Sequence, residues 1–206
     1  MSITTYAELK SAIANWLLRD DLTSVIPDFI ALAEADISRN LRHWKMESKT
    51  SLTVDAQYED IPADWLETIR LYTTDGTTEP LELISQADLI DRKYKNNNTA
   101  GRPRYYAVTG GQFEFYPVPD DSYTAELTYV AEIAALSDSN TSNWLLSDAA
   151  DVYLYGALVH SAPYLNDDAR LSTWLAMYQK ALDALNAKSD KAKASGTGLR
   201  MKIKAY

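Results

Sequence analysis

The sequence predicts an α+β fold in which an antiparallel helical bundle carries an inserted small antiparallel β-rich subdomain. Three observations predict it. Apolar residues recur at helical spacing at both ends of the 206-residue chain, and the stretch between them is rich in Thr, Val and Tyr. The third is the block GRPRYYAVTGGQFEFYPVP, Gly101 to Pro119, which reads as an aromatic β-hairpin. The expected organisation is one domain over 1–194, with a helical body in 1–44 and 144–194, a β-rich insertion in 45–133 and a linker in 134–143. A flexible basic C-terminal arm follows at 195–206.

The first helix is expected to start at Thr5, with Glu8 at the capping-box position. Tyr6, Leu9, Ile13, Trp16 and Leu17 then share a face, and Asp20-Asp21 interrupts the pattern. Thr23 or Ser24 can cap a second helix whose first turn tolerates Pro27 and whose stripe is Ile26, Ile30, Ala33, Ile37 and Leu41. After Trp44 the chemistry changes. Lys49 to Val54 is strand-like, Tyr58 to Ile61 with Pro62 marks a turn, and the second half of Trp65 to Tyr72 is again strand-like. Asp75-Gly76 reads as a turn and Leu81, Leu83 and Ile84 as a short strand. Ser85 with Asp88 reads as the start of a short helix carrying Leu89, Ile90 and Tyr94. The loop sequence Asn96 to Gly101 ends it.

In the hairpin, Arg104 to Thr109 is the first arm, Gly110-Gly111 the turn and Gln112 to Tyr116 the return. Alternation puts Phe113 and Phe115 on one face and Gln112, Glu114 and Tyr116 on the other. Tyr123 to Ile133 alternates as well and is expected to extend the hairpin to a three-stranded sheet. Past the polar stretch Ser137 to Asn143, Asp148 to Ser161 carries Val152, Tyr155, Leu158 and Val159, with Pro163 closing the helix. Asn166 or Asp167 opens the longest pattern, with Leu171, Trp174, Leu175, Tyr178, Leu182 and Leu185 on one side. Run from Asp168 to Lys193, that helix is roughly 40 Å long at 1.5 Å per residue.

The formal charge of -9 is split between a body of -14 over 1–187 and a segment of +5 over 188–206. An acidic body opposes general nucleic-acid binding. The basic end admits three readings: a solubilising disordered terminus, a segment that docks on an acidic partner, or a local nucleic-acid contact. The chain has no cysteine, which excludes disulfides, thiol nucleophiles and cysteine-rich zinc sites. Neither a cationic-apolar signal peptide nor an 18-residue apolar span is legible, and a soluble, non-membrane protein is expected.

Catalytic signatures are missing as well. No phosphate loop, dinucleotide fingerprint or zincin helix occurs, and His43 and His160 are far apart in sequence. The adjacent acids Asp20-Asp21, Asp120-Asp121 and Asp167-Asp168 fit caps and turns better than converging carboxylates. No enzyme, cofactor or metal is expected. The hairpin aromatics fit sheet core or a protein interface, and base stacking beside Arg102 and Arg104 is the remaining reading. With 14 tyrosines and 5 tryptophans, extended protein contact surfaces suit the chain better than a chemical pocket.

The order of several segments resembles the head-to-tail adaptor proteins of tailed bacteriophages. These are TTYAELKSAIANWLLRDD with LTSVIPDFIALAEADISRNLR, IPADWLETIRLY, LELISQADLIDRKY, the hairpin block, and TYVAEIAALSDSNTSNWLLSDAADVYLYGALVHSAPYLNDD before the last helix. The resemblance implies a structural virion protein at the head-tail junction, assembled in the host cytoplasm. Its subunits would form a ring, commonly a dodecamer, joining the portal protein to a downstream tail or head-completion protein. Double-stranded DNA would pass through the channel. By position, the portal-docking arm would comprise Gly196, Gly198, Leu199, Arg200, Met201, Lys202, Ile203, Lys204 and Tyr206, and Arg104, Tyr105, Tyr106 and Tyr116 would face the tail. The alternatives are a protein-binding module outside virion assembly and an accessory protein of nucleic-acid processing.

Overall fold

Thr5 starts the first helix as expected: its hydroxyl accepts the Glu8 amide at 3.3 Å, and the Glu8 carboxylate accepts the Thr5 amide at 3.0 Å. The structure, a computed structural model, describes residues 3–76, 78–165 and 169–194. In chain order the elements are α1 (Tyr6–Leu17), α2 (Ile26–Asn40), β1 (Glu47–Val54), β2 (Tyr58–Asp60), β3 (Trp65–Thr73), β4 (Glu79–Pro80), β5 (Glu82–Leu83), α3 (Gln86–Lys95), β6 (Tyr105–Thr109), β7 (Gln112–Tyr116), β8 (Tyr123–Ala131), α4 (Trp144–Asp148), α5 (Ala150–Leu165) and α6 (Leu171–Ala194). They fall into a helical unit, Met1–Trp44 with Ile133–Tyr206, and a β-rich unit, Lys45–Glu132. The fold is thus mixed, with helices and two small, mainly antiparallel sheets, and is not a pure helical bundle.

Within the helical unit, α1 buries Tyr6, Leu9, Ile13 and Leu17. Trp16, read on the same stripe, stays 45% exposed and sets its ring edge-on to Tyr155 at 5.7 Å. The helix ends at Leu18, which takes a left-handed φ of 55°, and the Arg19 amide returns to the Ala14 carbonyl at 3.2 Å. The N-cap position of α2 falls on Val25 rather than Thr23 or Ser24 and has no side-chain cap, while the Thr23 hydroxyl donates to the Asp20 carbonyl at 3.0 Å. Pro27 sits in the first turn, where a missing N–H leaves no helical bond unmade.

The stretch read as a linker is tied down. Its Leu136 amide donates to the Glu34 carboxylate at 2.7 Å, its Thr141 carbonyl accepts the Tyr6 amide at 2.7 Å, and Asn143 caps α4. Pro163 does not close α5 but lies in its last turn, where the fixed φ suits a helix. α6 buries Trp174, Tyr178, Leu182 and Leu185, whereas Leu171 and Leu175 are 39% and 40% exposed. Its expected opening at Asn166 or Asp167 lies outside the described residues.

α5 packs against α1, α2, α4 and α6. Phe29 meets Tyr164, and Ala33 lies beside Gly156, so α2 and α5 run in opposite directions. Tyr178 with Asp36, Asn186 with Asn40, and Ser189 with Trp44 ascend together, so α2 and α6 run in the same direction along their seam. Gly156 permits the convergence: a Cβ there would lie 3.1 Å from both the Ala33 Cβ and the Tyr178 ring. Gly156→Leu is therefore expected to cost at least about 1–3 kcal/mol through overpacking, which exceeds the roughly 0.5–1 kcal/mol gained by removing a helical glycine. The measurement is the urea midpoint at constant m; an undiminished midpoint counts against the close approach.

In the β-rich unit, β8 does not extend the hairpin. One sheet has the order β1-β8-β3-β4 and the other β2-β7-β6-β5. The inward row Ala125, Leu127 and Tyr129 of β8 packs in one cluster with Phe113 and Phe115 of the hairpin, together with Val54, Leu71 and Leu81. Two apolar rows of this kind remove more surface from water across a core than side by side in one sheet. The hairpin instead gains β2, read as part of a turn, on β7, and β5 in parallel on β6. β3 runs as a strand along the whole of Trp65–Thr73. Of the short strand expected at Leu81 to Ile84, Glu82–Leu83 forms β5 on β6, while the Leu81 amide donates to the Leu71 carbonyl of β3 at 2.9 Å, next to β4. At the turn Gly110 and Gly111 have φ of 60° and 83°, the positive pair that a two-residue hairpin turn requires.

Candidate interaction surfaces

α3 begins as the sequence predicts, with the Ser85 hydroxyl accepting the Asp88 amide at 3.1 Å, and buries Leu89 against Ala107 and Tyr116. This helix covers the hairpin face that carries Glu114 and Tyr116, so both faces of β7 are buried. Glu114 accepts from Lys93, from Gln57 Nε2 at 3.1 Å and from the Tyr58 hydroxyl at 3.2 Å. Burial pushes the Glu114 carboxyl up, but Lys93, Gln57 and Tyr58 together outweigh it and hold the group below its ordinary value. The sequence reading missed this network because Lys93 and Glu114 are 21 residues apart.

The four side chains expected on a tail-facing surface are distributed by the strand period. Arg104 is exposed. Tyr105 is half-buried, stacked on Tyr116 at 6.5 Å and covered by the Arg92 guanidinium at 4.2 Å. Tyr116 is buried and donates its hydroxyl to the Arg92 carbonyl at 3.1 Å. Tyr106 points to the opposite face, into the core edge-on to Phe113 at 5.7 Å. The structure therefore brings Tyr105 and Tyr116 together, separates Tyr106 from them, and leaves Arg104 and Tyr105 with exposed surface. Base stacking on Tyr106, Phe113, Phe115 or Tyr116 would require opening the core, since all four are buried.

Two apolar residues read with Leu89 turn outward. Ile90 is 56% and Tyr94 85% exposed, one helical turn apart on the outer side of α3. With Lys93, Lys95, Asn97 and Asn98 they line a depression of about 680 Å³. In the helical unit a second depression of about 580 Å³ follows the α2–α6 seam past Asp36, Leu175, Leu182 and Asp183. Tyr178 closes its floor by donating to Asp36 Oδ2 at 2.6 Å. Burial, reinforced by that carboxylate, holds the Tyr178 phenol protonated far above its ordinary range. A sequence signal existed for both surfaces: each has large apolar residues one position off the buried stripe.

The residues with familiar catalytic chemistry do not converge. His43, read as a helix-end residue, is buried with its ring stacked on Trp144 at 5.1 Å and tilted against Trp44 at 5.6 Å. His160 lies half-buried on α5. Asp21 pairs with Arg19 through two bonds of 2.6 Å. Asp120 accepts the Tyr123 hydroxyl at 2.7 Å, and Asp121 the Ser122 amide at 2.8 Å. Asp167-Asp168 lies outside the described residues. Among the described residues no group of three or more His, Cys, Asp or Glu side chains is placed to hold a metal ion. No helix among them is long and apolar enough to cross a membrane. The expected docking arm, including Gly196, Gly198, Leu199, Arg200, Met201, Lys202, Ile203, Lys204 and Tyr206, lies outside the described residues.

A family model described as SU10 adaptor protein covers residues 4–201. No curated protein matches the sequence.

Proposed function

Because this chain belongs to the SU10 adaptor protein family, we propose that it is the ring-forming connector between the portal of a phage head and the tail. The observation that carries this reading is the extent of the match, which spans both the helical and the β-rich unit. Family membership supports a structural role in the virion. In this reading the helical unit, in which α5 runs antiparallel to α2 and α2 parallel to α6, is the body of each subunit, with the β-rich unit as its insertion. Subunits close into a ring, a dodecamer by likeness to such adaptors, whose channel passes double-stranded DNA. The acidic body repels phosphate and keeps the genome from sticking, while the basic arm at 195–206 docks on an acidic surface of the portal. Toward the tail, Arg104 and Tyr105 offer the contact, and Tyr106 and Tyr116 hold the strand that presents them.

The test is electron microscopy of the full chain mixed with purified portal protein, alongside a chain lacking residues 195–206. The full chain is expected to add a coaxial ring to the portal. Absence of that ring overturns the connector reading. The shortened chain is expected to lose portal binding by at least tenfold, and unchanged affinity overturns the docking role of the arm alone.

A further inference from the structure

Three of the four sheet edges in the β-rich unit are blunted. β4 has two residues and ends in Pro80, β5 has two, and β2 has three, of which Glu59 and Asp60 are charged. β1 is different. It forms the fourth edge with eight residues and no proline, its charges fall within its first three positions, and among the described residues no strand pairs with its outer side. Its inward row is Ser48, Thr50, Leu52 and Val54, and Leu52 stands only half-buried at that margin of the core. An edge strand turns alternate backbone N–H and C=O groups away from its neighbour, which makes it a template for one more strand.

The chain also carries a segment of matching pattern outside the described residues. LRMKIKAY, 199–206, alternates strictly, with Leu199, Met201, Ile203 and Ala205 on one face and Arg200, Lys202 and Lys204 on the other, and it is as long as β1. It starts from a fixed point. The Trp44 amide donates to Ser189 Oγ at 2.9 Å, β1 begins three residues after Trp44, and α6 continues five residues past Ser189 to Ala194. Between Ala194 and Leu199 stand Ser195, Gly196, Thr197 and Gly198, about 14 Å of chain when extended, with two glycines for a reversal.

We propose that, in the free chain, residues 199–206 add to the outer side of β1 of the same chain as a further strand. Main-chain hydrogen bonds supply the attachment. Ile203 and its apolar neighbours extend the row that holds Leu52, while Arg200, Lys202 and Lys204 stay in water beside an outward row that includes the neutral Ser51 and Thr53. The period of two holds the register, because a slip of one residue would turn three cations toward the core margin. Pairing with β1 concerns the free chain and stands apart from the portal contact, which has to take the arm off β1.

The chain has no cysteine, so Ser51→Cys and Lys202→Cys in the full chain carry the only spin labels. The two positions lie at the middle of β1 and of the arm, adjacent in either strand direction, and neighbouring strands stand about 4.8 Å apart. The doubly labelled chain is expected to show dipolar broadening that survives dilution with an excess of unlabelled full chain. Broadening lost on dilution overturns the same chain as host and assigns the arm to a second copy. No broadening at all overturns the pairing. In a second measurement, Lys202→Pro with Ile203→Pro removes two adjacent backbone donors, one of which faces β1. Hydrogen exchange at the β1 amides that face away from β8 is expected to quicken at least tenfold, with β3 and β8 unchanged, and unchanged β1 exchange overturns the pairing. Adding purified portal to the labelled chain is expected to abolish the broadening. Broadening that persists in the portal complex overturns the arm as portal contact and leaves the β1 pairing standing.

Discussion

Phe113→Ala is expected to remove about 3–5 kcal/mol of stability, with the loss concentrated in the β-rich unit. Phe113 is fully buried, and its ring is shared by both sheets. It stands edge-on to Trp65 at 6.1 Å and to Tyr106 at 5.7 Å, and lies 6.3 Å from Phe115. Truncation to a methyl group loses the transfer energy of the ring and leaves a cavity that three neighbouring rings cannot fill without abandoning their own packing. Hydrogen exchange is the appropriate measurement, because it separates β6 to β8 from the helices. Protection lost equally in α2, α5 and α6 would show that the loss is not confined to the core described.

The second large effect falls on the covered side of the hairpin. Lys93→Met preserves the aliphatic stem but leaves the Glu114 carboxylate buried with two neutral donors, and a loss of about 3–5 kcal/mol is expected at neutral pH. The pH dependence follows from the lowered value of Glu114. A carboxyl depressed in the folded state adds stability that is present above its unfolded value of 4.5 and is lost as pH falls through the folded value. Without Lys93 the two largest contributions that lower the carboxyl are lost, so in the variant it stands higher than in the native chain and ionisation adds less stability. The gap between the two proteins is therefore expected to be widest near pH 7 and to narrow steadily below about pH 5. Urea midpoints across that range measure it. A gap that stays constant would mean that Lys93 acts through packing rather than charge.

Residues whose structure depends on near neighbours were legible in the sequence. Thr5 with Glu8, Ser85 with Asp88, and Gly110-Gly111 each settle their conformation within four residues, and all three occur as read. Thr23 and Pro163 show the limit of such signals. The Thr23 hydroxyl donates to the Asp20 carbonyl and α2 starts later, at an N-cap Val25 with no side-chain cap, and Pro163 lies within the final turn of α5.

Surface assignments failed where a distant element covers a residue. Alternation correctly put Glu114 and Tyr116 opposite Phe113 and Phe115, but nothing in the strand announced that α3 would bury that second face. The same helix shows the converse, since Ile90 and Tyr94 are apolar and yet turned outward.

By itself, the sequence determined most element types, the caps at Thr5 and Ser85, the hairpin turn, the charge division and the lack of a catalytic motif, because each depends on local spacing or composition. Only the tertiary structure decided that β8 belongs to the opposite sheet, that α2 and α6 share a parallel seam at Gly156, and that Lys93 reaches Glu114. Periodicity states which side chains share a face. What covers that face is set by the burial of apolar surface among segments far apart in the chain, and that competition is settled only when all of them are packed.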